Sequence, residues 1–100
     1  MPEFGKYTKE LKKLISEAEH ILLICHINPD GDAIGAMLAM RRWIMSQDKE
    51  ATMISPNSLQ KFLLWMKDVD KVLDFHHSPG EGARLINEAD LIIMVDFNTS

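Results

Sequence analysis

The sequence predicts an α/β domain with a mostly parallel sheet and helices on both faces, and three observations lead to this prediction. Apolar residues recur at the spacing of an amphipathic helix in several segments of the chain. Between these segments lie short runs that are apolar throughout, as in strands covered on both faces. The two kinds of segment alternate along the chain, and this order favours right-handed βαβ crossovers.

The first half of the chain contains two predicted helices and two predicted strands. Apolar residues spaced three and four apart predict a helix over 8–19. The run 21–25 is apolar throughout and predicts a buried strand, after which proline and glycine break the chain into a loop. Helical spacing returns over 33–47, and a short strand follows over 51–55. Together these segments predict a βαβ unit behind an N-terminal helix.

The second half repeats the alternation with weaker signals. Ser58 is the predicted N-cap of a helix that continues through Met66. A brief, mixed segment over 71–75 predicts a third strand, and a helix over 80–89 begins among glycines. The run 91–95 is again apolar throughout and predicts the last strand. We find no repeat and no linker, so the chain is expected to form one unit.

Composition and charge exclude several classes of protein. The single cysteine, Cys25, rules out an internal disulfide, and neither 21–25 nor 91–95 approaches the roughly 20 apolar residues of a membrane helix. Without a signal peptide pattern, the chain is interpreted as cytoplasmic, with no membrane partner. A net charge of −4 argues against non-specific DNA binding. A phosphorylated substrate would therefore require bound cations.

Acidic residues follow two of the predicted strands. Asp30 and Asp32 lie in the loop after the first strand, beside His26, and Asp96 follows the last strand. In open parallel sheets, ligands bind outside the carboxyl ends of the strands. If the strands are parallel, we expect these four side chains to emerge at the same edge of the sheet.

One imidazole and three carboxylates form a mixed set of metal ligands. Carboxylates suit Mg²⁺ and Mn²⁺ whereas imidazole suits transition metals, so the mixture favours Mn²⁺. Gly31 allows a tight turn between Asp30 and Asp32, and Asp32 is also the expected N-cap of the next helix. Two ions about 3.5–4 Å apart would activate a water molecule for in-line attack on a phosphoester.

Each of these residues also has an ordinary structural explanation. A histidine after a strand is often partly buried, Asp30-Gly31 is a common turn, Asp32 is a common helix cap, and Asp96 could end a strand. The residues alone therefore leave both a metal site and an ordinary loop open.

Other conspicuous features receive structural interpretations. The segment 74–77 contains an aspartate and two histidines, but we expect an exposed loop there. Trp43 and Trp65 occur in helical patterns, which favours packing over base stacking. Gly35 is expected to let its helix approach the sheet closely.

Two segments carry a resemblance to the DHH phosphoesterase family. The first motif of that family resembles His26-Ile27-Asn28-Pro29-Asp30-Gly31-Asp32-Ala33-Ile34-Gly35-Ala36. Its second motif, an apolar strand ending in a metal-binding aspartate, resembles Met94-Val95-Asp96-Phe97-Asn98-Thr99-Ser100. The resemblance implies that His26 and Asp30 hold one Mn²⁺, that Asp32 holds a second, and that Asp96 bridges them, with Mg²⁺ as the alternative metal.

Among the family branches, the chain resembles the bacterial enzymes related to nanoRNases and phosphoadenosine phosphate (pAp) phosphatases. This resemblance implies a small nucleotide or short single-stranded RNA as substrate; related branches act on single-stranded DNA, cyclic dinucleotides, pyrophosphate or polyphosphate. The family's Asp-His-His motif does not follow Asp96, and the segment 74–77 has the wrong spacing and precedes it. Residues 1–100 are therefore expected to be the N-terminal part of a catalytic domain, with the rest and a C-terminal substrate-binding domain outside this chain.

Three functional hypotheses follow from the sequence. The first is a two-metal phosphodiesterase or phosphatase, with this chain inactive on its own. The second, for this chain alone, is a non-catalytic module that binds a metal or a phosphate at a helix N-terminus. A phosphatase with an aspartyl nucleophile is disfavoured, because His26 stands directly after the strand where such an aspartate belongs. A homodimer is compatible with all three.

Overall fold

A computed structural model describes residues 2–25, 31–57, 59 and 61–95, and its helices and strands alternate as the sequence predicts. In chain order they are helix α1 (Pro2–Glu17), strand β1 (Ile21–Cys25), helix α2 (Gly31–Ser46), strand β2 (Ala51–Ser55), 3-10 helices Lys61–Leu63 and Val69–Lys71, strand β3 (Val72–Asp74), helix α3 (Pro79–Glu88) and strand β4 (Leu91–Val95). In these described residues, no helix is long and apolar enough to cross a membrane.

The four strands form one sheet in the order β3-β2-β1-β4, and all three strand pairs are parallel. Strand β1 lies at the centre and pairs with β2 from Ile21 opposite Ala51. It pairs with β4 along its whole length, from Ile21 opposite Leu91 to Cys25 opposite Val95. The predicted fold class, a parallel α/β sheet with helices on both faces, is confirmed.

The core lies on both sides of the central strand because β1 is apolar at every position. Helices α1 and α2 cover one face, where Ile15 and Met37 pack with Leu23 in the main buried cluster. Helix α3 lies on the other face, where its Leu85 lines a cleft together with Leu22. Since alternate residues of a strand point to opposite faces, β1 needs apolar residues throughout.

The predicted helix between β2 and β3 is wrong. The described residues there form the short 3-10 helix Lys61–Leu63 and a series of turns before the second 3-10 helix. Beyond the end of the predicted helix, Asp68 adopts the left-handed backbone conformation, with φ of 68°. Its carboxylate lies 3.7 Å from Arg41 and 4.0 Å from Arg42, both on α2. The predicted N-cap, Ser58, lies outside the described residues.

Two glycines show where a side chain would and would not fit. A Cβ atom at Gly35 would meet only Met66 Cε, at 3.5 Å, among the described residues, so the expected close approach of this helix to the sheet at Gly35 is wrong. A Cβ atom at Gly82, in α3, would lie 2.3 Å from Phe75 Cδ2. The close approach of a helix in this fold therefore occurs at Gly82, against the residue that follows β3.

Asp90 joins the start of β4 to the connection between α1 and β1. Its Oδ2 accepts a hydrogen bond from the Glu19 backbone N–H at 2.8 Å, and its Oδ1 accepts one from the His20 N–H at 2.9 Å. These two backbone hydrogen bonds stabilise the carboxylate and lower the pKa of Asp90.

We expect Asp90→Asn to reduce the acid sensitivity of folding. Because the folded-state pKa is depressed, the stabilisation is fully present above the unfolded-state pKa of about 4 and is lost as pH falls through the folded-state pKa. Urea unfolding at pH 7 and pH 3 should show a stability difference between wild type and variant that shrinks at pH 3. Asp70→Asn removes the same charge elsewhere and serves as the control. An unchanged difference at the two pH values would contradict this role for Asp90.

Candidate metal centre

The carboxyl ends of β1 and β4 lie side by side. Cys25 and Val95 are the last residues of these strands, and they are register partners in a parallel pair. Neighbouring strands are about 4.8 Å apart, so the chain leaves both strands at the same edge of the sheet. His26 and Asp96 are the next residues in sequence, although both lie outside the described residues.

Helix α2 begins at the same edge. Five residues separate Cys25 from Gly31, the first residue of the helix. Asp32 is the second residue of α2, so the expectation that it is the N-cap is wrong. A carboxylate in the first turn of a helix is nevertheless stabilised by the helix dipole. The side chain of Asp32 and the whole of Asp30 lie outside the described part of the chain.

The structure therefore places side by side the two strand ends from which the ligand-bearing segments extend. In the part of the chain that it describes, no group of three or more His, Cys, Asp or Glu side chains could hold a metal ion. The set His26, Asp30, Asp32 and Asp96 stays a prediction, supported by the parallel register of the strands that precede it.

Cys25 is not a candidate ligand, although it precedes His26. Its side chain is fully buried and its thiol donates a hydrogen bond to the Ile54 carbonyl oxygen at 3.7 Å. Burial raises the pKa of Cys25, which disfavours the thiolate that binds metals. Cys25 is therefore a core residue.

Within 74–77, residues 75–77 form a turn after β3, and the predicted exposure is confirmed for His76 and His77 and wrong for half-buried Asp74 and Phe75. Asp74 ends β3, and its Oδ1 accepts hydrogen bonds from the backbone N–H groups of His76 at 2.9 Å and His77 at 3.4 Å. Both histidine side chains are exposed. The carboxylate is therefore engaged in closing the turn, which is a common role for aspartate.

A cleft of about 160 Å³ lies at the opposite edge of the sheet. It is lined by residues that precede or begin the strands, such as His20 and Ala51, and three glutamates, Glu19, Glu50 and Glu88, contribute to its wall. Ligands of open parallel sheets bind at the carboxyl ends, and a glutamate-rich wall repels phosphate. This cleft is therefore separate from the candidate metal centre.

The two tryptophans differ in environment. Trp43 is partly buried and packs against the core, as predicted. Trp65 is 79% exposed, so the prediction that it is a packing residue is wrong. Apolar character predicts burial on average but does not say which member of the continuous run 62–66 faces water.

Comparison with known proteins assigns the family. The sequence model described as "DHH family, N-terminal domain" matches residues 20–100, which include both motifs and all four strands. The chain belongs to the DHH family.

Proteins similar to this chain are considerably longer. The cyclic-di-AMP phosphodiesterases GdpP of Geobacillus thermodenitrificans and Bacillus subtilis are 30% and 25% identical to it over 91 residues, which is 86% of this chain and 14% of each relative. An exopolyphosphatase-related protein from Bacteroides fragilis has a solved structure that is 35% identical, with a TM-score of 0.85 over 95% of this chain and 28% of that chain. The chain thus spans about a seventh to a quarter of the length of these proteins.

Proposed function

We propose that the chain supplies the first ligands of a divalent metal site in a hydrolase that cleaves phosphoesters of small nucleotides, such as short oligoribonucleotides or pAp. The observation that carries this proposal is the in-register parallel pairing of β1 with β4. Because of this pairing, the segment that carries the family's first motif and the segment that carries Asp96 follow from neighbouring strand ends. The alternative substrates are those named for the relatives, cyclic di-AMP and polyphosphate, and pyrophosphate.

The proposed ligands fit divalent cations chemically. His26 and Asp30 would hold one Mn²⁺, Asp32 the second, and Asp96 would contact both, with Mg²⁺ as the alternative. Bound ions would supply the positive charge and the activated water that phosphoester hydrolysis requires. The chain would contribute these ligands from two neighbouring strand ends and the first turn of α2.

We further propose that residues 1–100 are the N-terminal part of the catalytic domain, and that later residues of a longer polypeptide complete the site. The lengths of the similar proteins support this proposal. So does β4, which carries exposed Ile92 and Met94 on the same face as buried Leu22. For the 100 residues alone, binding of metal or phosphate without turnover remains the second hypothesis.

A substrate panel tests the proposed activity. The complete gene product with Mn²⁺ is expected to convert pAp to AMP and phosphate, and a diribonucleotide to mononucleotides, with the activity abolished by a chelator. Cyclic di-AMP, pyrophosphate and polyphosphate test the alternatives, with products separated by ion-exchange chromatography. Residues 1–100 alone are expected to be inactive. Turnover by residues 1–100 would contradict the incomplete site, and no turnover of any phosphoester by the complete protein would contradict the proposed function.

A further inference from the structure

We infer that the segment 61–67 is a nucleobase-stacking platform beside the candidate metal centre, with Trp65 as the residue that makes the site prefer nucleotides over polyphosphate. The inference rests on the proposed function for the role of the metal centre. Its own basis is independent: the exposure, anchoring, position and charge of this segment.

Trp65 is the most exposed of the large hydrophobic side chains in the described residues, at 79%, and its neighbour Leu64 is 58% exposed. The segment is nevertheless firmly attached to the domain. Leu63, on one side, is almost fully buried, and Met66, on the other, packs against the core. Trp65 is therefore presented to solvent by a fixed backbone, which reduces the entropy that a ligand would lose on stacking there.

The segment lies towards the carboxyl edge of the sheet. Met66 Cε lies 3.5 Å from the position of a Cβ atom on Gly35. Gly35 is four residues from the start of α2, or about 6 Å along the helix axis, whereas the next turn of the crossover, at Asp68, pairs with Arg41 further along α2. Met66, the residue after Trp65, therefore packs on the first two turns of the helix that begins at the candidate metal centre.

The charge of the segment suits a nucleotide. Lys61 and Lys67 are exposed, and the segment 61–67 contains no acidic residue, although the chain as a whole has a net charge of −4. An exposed aromatic ring between cations is the arrangement with which proteins bind single-stranded nucleic acid: the ring stacks on a base and the cations attract phosphates. A purely apolar docking surface for another polypeptide would not require the two lysines.

Stacking on Trp65 would distinguish between the substrate classes proposed for this site. All of them carry phosphate, but only nucleotides have the π-face that stacks on an indole. Loss of Trp65 should therefore weaken the binding of nucleotides by about 5- to 150-fold and leave the binding of pyrophosphate and polyphosphate unchanged.

Fluorescence provides a test that needs no catalysis. Residues 1–100 contain two tryptophans, so comparing Trp43→Phe with the double variant Trp43→Phe/Trp65→Phe isolates the emission of Trp65 from that of any indole elsewhere in the complete protein. In the complete protein without metal, AMP, pAp and a diribonucleotide are expected to quench Trp65 emission with saturation, and inorganic pyrophosphate is expected not to. The matched variant Trp65→Phe, which retains Trp43, should show no such quenching. Absence of saturable quenching by all three nucleotides, or protection of Trp65 from acrylamide by another part of the protein, would overturn the inference.

Kinetics on the complete enzyme gives the second test. Trp65→Ala should raise KM for nucleotide substrates by about 5- to 150-fold with little change in kcat. The same variant should leave KM for pyrophosphate or polyphosphate unchanged. Trp65→Phe should retain most of the wild-type affinity for nucleotides, because phenylalanine also offers a ring for stacking. An equal effect of Trp65→Ala on both substrate classes would contradict stacking. Nucleotide quenching without any phosphoester hydrolysis would support the platform and reject the proposed function, so the two failures are distinguishable.

Discussion

Asp30→Ala and Asp96→Ala are each expected to lower kcat for phosphoester hydrolysis by the complete protein about a thousandfold or more, while the protein stays folded. Each change removes a carboxylate from the proposed metal site, whose ions would stabilise charge in the transition state by several kcal/mol. Since each 1.36 kcal/mol corresponds to a tenfold change in rate, a loss of about 4 kcal/mol gives this factor.

Two further measurements make this prediction specific. Mn²⁺ binding, followed by electron paramagnetic resonance of the free ion, should weaken in both variants, and circular dichroism should show an unchanged fold. His77→Ala is the control, because this exposed histidine belongs to the turn after β3 and is expected to leave kcat unchanged within about twofold. Hydrolysis at the wild-type rate in both aspartate variants would reject the two-metal assignment.

The sequence predicts β1, β2 and β4 with the bounds that the structure has, because each is a short run made up mostly of apolar or β-branched residues. It places the start of α2 two residues late, since Gly31 and Asp32 carry no apolar signal. It fails over 61–66, where the predicted helix is a 3-10 helix followed by turns that pack Leu63 and Met66 against the core. Local propensity is a weak guide wherever packing decides the conformation.

For the candidate site, too, the sequence predicts only part of the arrangement. Alternation of helices and strands predicts parallel strands, and parallel strands predict a shared edge for His26 and Asp96. The alternation does not predict that β4 pairs directly with β1, because this pairing depends on a crossover that passes over two intervening strands. Direct pairing brings the last residues of the two strands, Cys25 and Val95, to adjacent positions, and this is the structural support that the sequence alone lacked.

The exposed face of β4 is the second place where a large effect is expected. Ile92 is 46% and Met94 is 59% exposed, although their register partners Leu22 and Ile24 on the central strand are buried or half-buried. The handedness of crossovers explains what should cover this face. Connections from β1 to β2 and from β3 to β4 run across the sheet in opposite directions, so right-handedness puts α2 on one face and α3 on the other.

A crossover that continued beyond β4 in the same direction would place its helix on the α3 face, over Ile92 and Met94. Met94→Lys is therefore expected to lower the free energy of unfolding of the complete protein by about 3 kcal/mol or more, because it removes apolar burial and buries a charge. In residues 1–100 alone the same change should cost only about 0.5 kcal/mol. Urea unfolding of both polypeptides at two protein concentrations measures this difference, with Met45→Lys, an exposed position on α2, as the control. A similarly small cost in both polypeptides would show that the face stays open, and a cost that grows with protein concentration would assign the cover to a second copy of the chain.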